Sequence, residues 1–118
     1  MLFDTSVLDQ ALEKRRAEWE ERRRAMLARV TAALEEVAPA FGVRRAYIFG
    51  SLAKPGRYHE RSDVDVAVEW PGEGDFFDLA AEVSRRIGQD IDILPLDRIP
   101  FADKIRREGI LWEPATST

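Results

Sequence analysis

Residues Tyr47 to Val68 read YIFGSLAKPGRYHERSDVDVAV, and the fold follows from how that string divides. A short apolar run, Tyr47-Ile48-Phe49, stops at Gly50-Ser51, and a polar loop follows. Ser62 to Val68 then alternates small polar or acidic residues with β-branched ones, the period-2 pattern of a half-buried strand. This predicts a strand over Ser62–Glu69, with Val64, Val66 and Val68 on one face and Asp63 and Asp65 together on the other. Carboxylates two residues apart on a strand lie about 6.5–7 Å apart at Cα, near enough to bridge hard cations. The Gly50-Ser51 turn is a place where backbone N–H groups can face an anion. An anion holder and a cation holder therefore fall on neighbouring elements.

The bulk properties narrow the class. The chain has 118 residues, which predicts one domain with a modest core. Without cysteine it has neither disulfides nor thiolate metal ligands. No apolar run is long enough to span a bilayer, and MLFDTSVLDQ lacks the basic-then-apolar pattern of a signal peptide, so the cytoplasm is the expected compartment. A net charge of -4 argues against a general nucleic-acid coat, which relies on neutralising phosphates. Interleaved aromatic and basic residues are also missing, so a nucleic-acid partner is not expected. Small phosphorylated ligands, which need only local positive charge, stay open.

Outside the central stretch the elements alternate. Asp4-Thr5-Ser6 offers N-cap residues, with Ser6 and Asp9 approximating a capping box, and no Gly or Pro follows until Pro39. This predicts a long helix with an apolar stripe Leu8, Leu12, Trp19, Met26, Val30, Leu34 and Val37. The stripe thins where Arg15, Arg16, Arg22, Arg23 and Arg24 alternate with Glu18, Glu20 and Glu21, a composition that reads as a solvated face laced with ion pairs. A strand is predicted at Arg44–Phe49, with Tyr47 and Phe49 in the core. After the loop Pro71-Gly72-Glu73-Gly74, Asp75 caps a helix burying Phe76, Leu79, Ala80, Val83 and Ile87, closed by Gly88. The strand Asp90–Leu94 places Ile91 and Ile93 on one face and Asp92 and Leu94 on the other, and Pro95 ends it. A short helix over Phe101–Glu108 uses Phe101, Ala102 and Ile105 as its apolar side, and Ile110–Trp112 forms a last edge strand. The expected class is α/β (α+β): a small mixed sheet flanked by helices, with a long N-terminal helix. The expected organisation is a single domain over 1–118, with an N-terminal helical extension at 1–25, a core at 43–113 and a frayed tail at 114–118.

Taken singly, Gly50-Ser51 reads as a tight turn, Asp63-x-Asp65 as an exposed strand face, and Asp92 as an edge charge against aggregation. Together they strain that reading, because aspartate has poor β propensity and three of them punctuate an otherwise β-branched sheet. If the two strands lie side by side in register, the three carboxylates converge. Their mutual repulsion calls for a cation, and all-oxygen donors suit Mg²⁺ or Mn²⁺.

With GSLAKPG, SDVDVAV and IDIL in that order, the chain resembles the DNA polymerase β-like nucleotidyltransferase superfamily, and its small size resembles the minimal nucleotidyltransferase (MNT) branch. The resemblance covers roughly Val43 to Trp112. It implies transfer of a nucleoside monophosphate from ATP or another nucleoside triphosphate, with pyrophosphate leaving. By that resemblance Gly50 and Ser51 hold the β- and γ-phosphates, Asp63 and Asp65 bind two Mg²⁺, and Asp92 completes the metal site and helps activate the acceptor hydroxyl. One departure is Pro55, inserted between Lys54 and Gly56, which leaves the loop shape open. Lys54, Arg57 and Arg61 are triphosphate contacts by charge and position, although Arg57 and Arg61 read equally as surface charge; His59, alone in a polar loop, reads as solvated.

A domain this small has little surface to enclose an acceptor. An acceptor is therefore expected from another chain or from a second copy, with Leu8, Leu12 and Trp19 of the N-terminal helix available to pack on it; the resemblance implies that the partner is a helical HEPN-type toxin of a toxin–antitoxin pair. A different class of function, a non-catalytic module that blocks its partner by covering it, competes with the enzymatic reading.

Overall fold

The computed structural model describes residues 5–72 and 74–115. Helix α1 runs Ser6–Val37, strand β1 Ala46–Phe49, β2 Val64–Val68, helix α2 Phe76–Ile87, β3 Ile91–Pro95, helix α3 Ala102–Glu108 and β4 Ile110–Trp112. The four strands lie in the order β3-β2-β1-β4. β1 is antiparallel to both β2 and β4, whereas β2 and β3 are parallel and joined through α2. A parallel pair needs such a crossover, and the helix that supplies it covers one face of the sheet.

The alternation seen in the sequence divides the sheet's two faces. Val64, Val66 and Val68 join Ala46, Ile48, Ile91 and Ile93 beneath α1 and α2 in the larger core. Tyr47 and Ala67 face the other way, against Leu96, Ile99 and Ile105 of the chain around α3. The carboxylates of β2 and β3 belong to this second, thinner side.

Several boundaries shift from the sequence expectation. Asp63 precedes β2 rather than lying in it, because the ladder starts one residue later, at Val64, which pairs with Ile91, the first residue of β3. Pro95 is the last residue of β3, paired with Val68, at a strand end where its missing N–H does least harm. The helix N-cap is Thr5 rather than Ser6; its side chain makes no cap hydrogen bond with the backbone, and its hydroxyl instead donates to Asp9 Oδ2 at 3.2 Å. Asp4, Glu73 and residues 116–118 of the expected tail lie outside the described residues.

α1 is buried only along its second half. Met26, Val30, Ala33, Leu34 and Val37 line the core, while Val7 and Leu8 are 77% and 60% exposed. At 1.5 Å per residue the helix is about 48 Å long, which accounts for a molecule measuring 67 × 29 × 28 Å. One member of the charged middle departs from the solvated face read from the sequence: Arg23 is buried, 7% exposed.

Leu34 is fully buried and Phe77 is 80% exposed. Leu34→Ala is expected to cost about 2–5 kcal/mol and Phe77→Ala less than about 0.5 kcal/mol, as read by chemical denaturation.

Candidate active site

β1 delivers the chain to the site. After Phe49 it turns through a single 3-10 turn, Gly50–Ala53, closed by the Lys54 N–H on the Ser51 carbonyl at 3.3 Å. Gly50 has φ +73, and a Cβ placed there would stand 2.5 Å from Asp65 Oδ2. Two independent constraints therefore demand glycine: a left-handed backbone and the close approach of a carboxylate. Pro55-Gly56 forms a further turn, with Gly56 at φ +81 and the Arg57 N–H reaching the Lys54 carbonyl at 3.3 Å. Proline followed by a positive-φ glycine is the type II turn sequence, so the inserted proline leaves the loop closed.

Across the sheet, Phe49 pairs with Asp65 and Asp65 pairs with Asp92. All three side chains share the α3 face, since their neighbours Ile48, Val66 and Ile93 are in the larger core. Burial raises the Asp65 pKa above the usual carboxylate value, and the charges of Asp92 and then Asp63 add to the effect. The nearness of the Asp92 carboxyl on the paired strand acts in the same direction. The three predicted aspartates therefore interact, with Asp65 at their centre. Among the described residues, no three acidic groups are closed into a ready cation cage. The set is electrostatically coupled yet open.

A cleft of about 390 Å³ adjoins the Gly50 turn. Phe49, Phe101 and Ile105 give it apolar walls, and Lys54, Arg57 and Lys104 reach its rim. Phe49 and Phe101 meet edge to face, with centroids 6.4 Å apart. Lys54 is held there by Glu108 at 3.4 Å, and Lys104 approaches the other Glu108 oxygen at 3.9 Å. Lys54 and Arg57 line this cleft, whereas Arg61 does not. The α3 wall was not identified as part of the site from the sequence, although Phe101, Ile105 and the Lys104–Glu108 pair follow one helical repeat.

His59 has a structural task beyond solvation. Its Nδ1 accepts the Arg61 N–H at 3.2 Å, its own N–H donates to Ser62 Oγ at 2.8 Å, and its ring lies 5.7 Å from that of Trp19. It shapes the turn that delivers Asp63. Arg23 is the larger omission. From α1 its Nη1 donates to the Leu52 carbonyl at 3.0 Å, while Nε and Nη2 grip both Glu20 oxygens at 2.9 and 2.7 Å. The pair raises the Arg23 pKa and lowers that of Glu20. The available signal was the seven-residue gap between Trp19 and Met26 in the apolar stripe, where Arg23 takes the missing position.

The chain matches the family model of the polymerase β nucleotidyltransferases over residues 33–112, and it belongs to that family. No curated protein gives a significant sequence match. Among solved structures, a nucleotidyltransferase described from Sulfolobus solfataricus is 31% identical, with 79% of this chain and 85% of that one covered at a TM-score of 0.51. A toxin–antitoxin crystallised with AMP-PNP matches at a TM-score of 0.58 and 19% identity, over 73% of this chain and 74% of that one. An Asp-to-Glu double mutant of the toxin–antitoxin MntA-HpeT matches at 0.52 and 19%, over 72% and 70%. At that identity the last two share the fold.

Gly50→Ala is expected to cost about 1–3 kcal/mol from backbone strain alone, read as a lower denaturation midpoint. Asp65 supplies a pH test. Its folded pKa lies above the unfolded one, so the folded chain binds the extra proton, and stability falls as pH rises through the folded pKa. Without divalent cations, Asp65→Asn should therefore melt higher than the parent at pH 7, and the gain should vanish once the pH drops below the unfolded carboxylate pKa of about 3.9.

Proposed function

We propose that this nucleotidyltransferase moves a nucleoside monophosphate, AMP from ATP, onto a hydroxyl of a partner protein, as the antitoxin of a toxin–antitoxin pair whose toxin is a helical HEPN-type protein. The observation that carries the proposal is the in-register Asp65–Asp92 pair beside the Gly50 turn. The neighbours that share the fold add support, since one is described as a toxin–antitoxin with AMP-PNP and another as MntA-HpeT.

The donor set fits a hard divalent cation. It offers only oxygens, and a cation beside Asp65 would counter the burial and, after it, the Asp92 and Asp63 charges that raise its pKa. Asp63, Asp65 and Asp92 would hold Mg²⁺, two ions in this reading, with Mn²⁺ as a substitute. The cation would neutralise phosphate charge and align the phosphoryl group for in-line displacement.

The chain's own residues supply the remainder. Gly50 and Ser51 hold the phosphate tail at the turn, and Lys54 leaves Glu108 for the stronger phosphate anion. Phe49, Phe101 and Ile105 provide an apolar bed for the base. Asp92, exposed on the edge strand β3, is the carboxylate an incoming acceptor meets first, and it takes the hydroxyl proton. The acceptor oxygen then bonds to the α-phosphorus while the bond to the bridging oxygen of the leaving pyrophosphate breaks.

The occlusion reading has one observation in its favour: the exposed Val7 and Leu8 on the projecting half of α1 suit a surface that binds without chemistry, whether to a partner or to a second copy. Calorimetry and radiolabelling separate the two. Mg²⁺-dependent ATP binding is expected, lost at least 100-fold in Asp63→Ala and Asp65→Ala, with AMP label appearing on a co-purified partner. An occluding module would bind its partner with no Mg²⁺-dependent ATP signal and no label.

A further inference from the structure

We propose that Arg23 is the positioning residue of the Gly50–Ala53 turn, setting its shape from the opposite side of the sheet so that the turn is ready for a phosphate chain before one arrives. The proposal rests on the reading of that turn as the phosphate grip. Arg23 is the one charged side chain buried among the described residues. It donates to the Leu52 carbonyl, 29 residues on, and the Leu52 side chain is itself fully buried in the larger core. The turn is therefore pinned twice at one residue, by the packed leucine and by its carbonyl. Glu20 holds the guanidinium in a two-pronged grip, so the donor aimed at Leu52 has one orientation.

A charge-neutral pair of this kind adds little field at the site. Its contribution is order: a turn already fixed has less freedom to lose when ligand binds. Lysine cannot replace it, because an ammonium lacks the planar fork that serves Glu20 and Leu52 together. Without the guanidinium, the Leu52 carbonyl is a buried acceptor with no donor, and the turn relaxes to find one.

The consequence is selective. Arg23→Met should weaken MgATP and Mg-tripolyphosphate binding at least 10-fold by calorimetry and leave AMP binding within 2-fold. In the ligand-free protein, hydrogen exchange at the Lys54 amide should accelerate at least 10-fold, with the Gly88 amide at the end of α2 unchanged. Arg23→Lys should recover the melting temperature and not the phosphate affinity; it also serves if the methionine variant fails to fold, as does Glu20→Gln, for which a smaller loss in the same direction is expected.

Equal weakening of AMP and MgATP, or exchange that rises alike at Lys54 and Gly88, would show general destabilisation and overturn the proposal. Unchanged MgATP affinity in a variant with Asp65→Ala still abolishing it would sink the Arg23 role alone. A parent protein that binds neither MgATP nor tripolyphosphate overturns the nucleotide reading and this one with it.

Discussion

Two carboxyl groups facing each other on adjacent strands are a liability that folding alone would not select. Asp65 and Asp92 stand in the same row of a parallel pair, with Asp63 close enough to raise the Asp65 pKa further. Aspartate is a poor strand residue, and like charges across a ladder repel. The surrounding structure maintains the arrangement through the valines and isoleucines alternating with these aspartates, which lock the strand register from the opposite face. A one-residue slip would expose that apolar row, so the register that buries Val64, Val66, Ile91 and Ile93 is the same one that aligns the acids.

The division of labour between the sheet's faces explains the rest of the architecture. One face carries the deep core with α1 and α2 and provides stability. The other is covered only in part, by the chain around α3, and the uncovered portion holds the acidic row and the cleft. The Gly50–Ala53 turn connects the two: Leu52 dips into the deep core while Gly50 lies against Asp65. Arg23 reaches that turn from α1, which makes the long helix part of the site's scaffold as well as part of the core.

Membership of the polymerase β nucleotidyltransferase family sets the class of chemistry, and the acidic row lies at the open edge of the sheet. Asp92 sits on an edge strand, with no further strand beyond it among the described residues. The first half of α1 is similarly uncovered. Both features support the proposal that the protein works against a second polypeptide.

The motifs GSLAKPG, SDVDVAV and IDIL determined the family, the element order and the aspartates worth following, because period-2 alternation and glycine-bounded turns are local signals. The spacing could not say that β2 and β3 are neighbours in register, and the meeting of Asp65 with Asp92 depends on that non-local pairing. Asp63 looked like a strand residue because alternation extends past the last ladder partner; only the non-local pairing of Val64 with Ile91, the first residue of β3, decided where β2 begins. Arg23 looked like one surface arginine among several, since a sequence shows a side chain's charge but not its burial. Its place in the stripe between Trp19 and Met26 hinted at an inward position. The carbonyl it serves lies 29 residues away, and only the packed structure brings the two together.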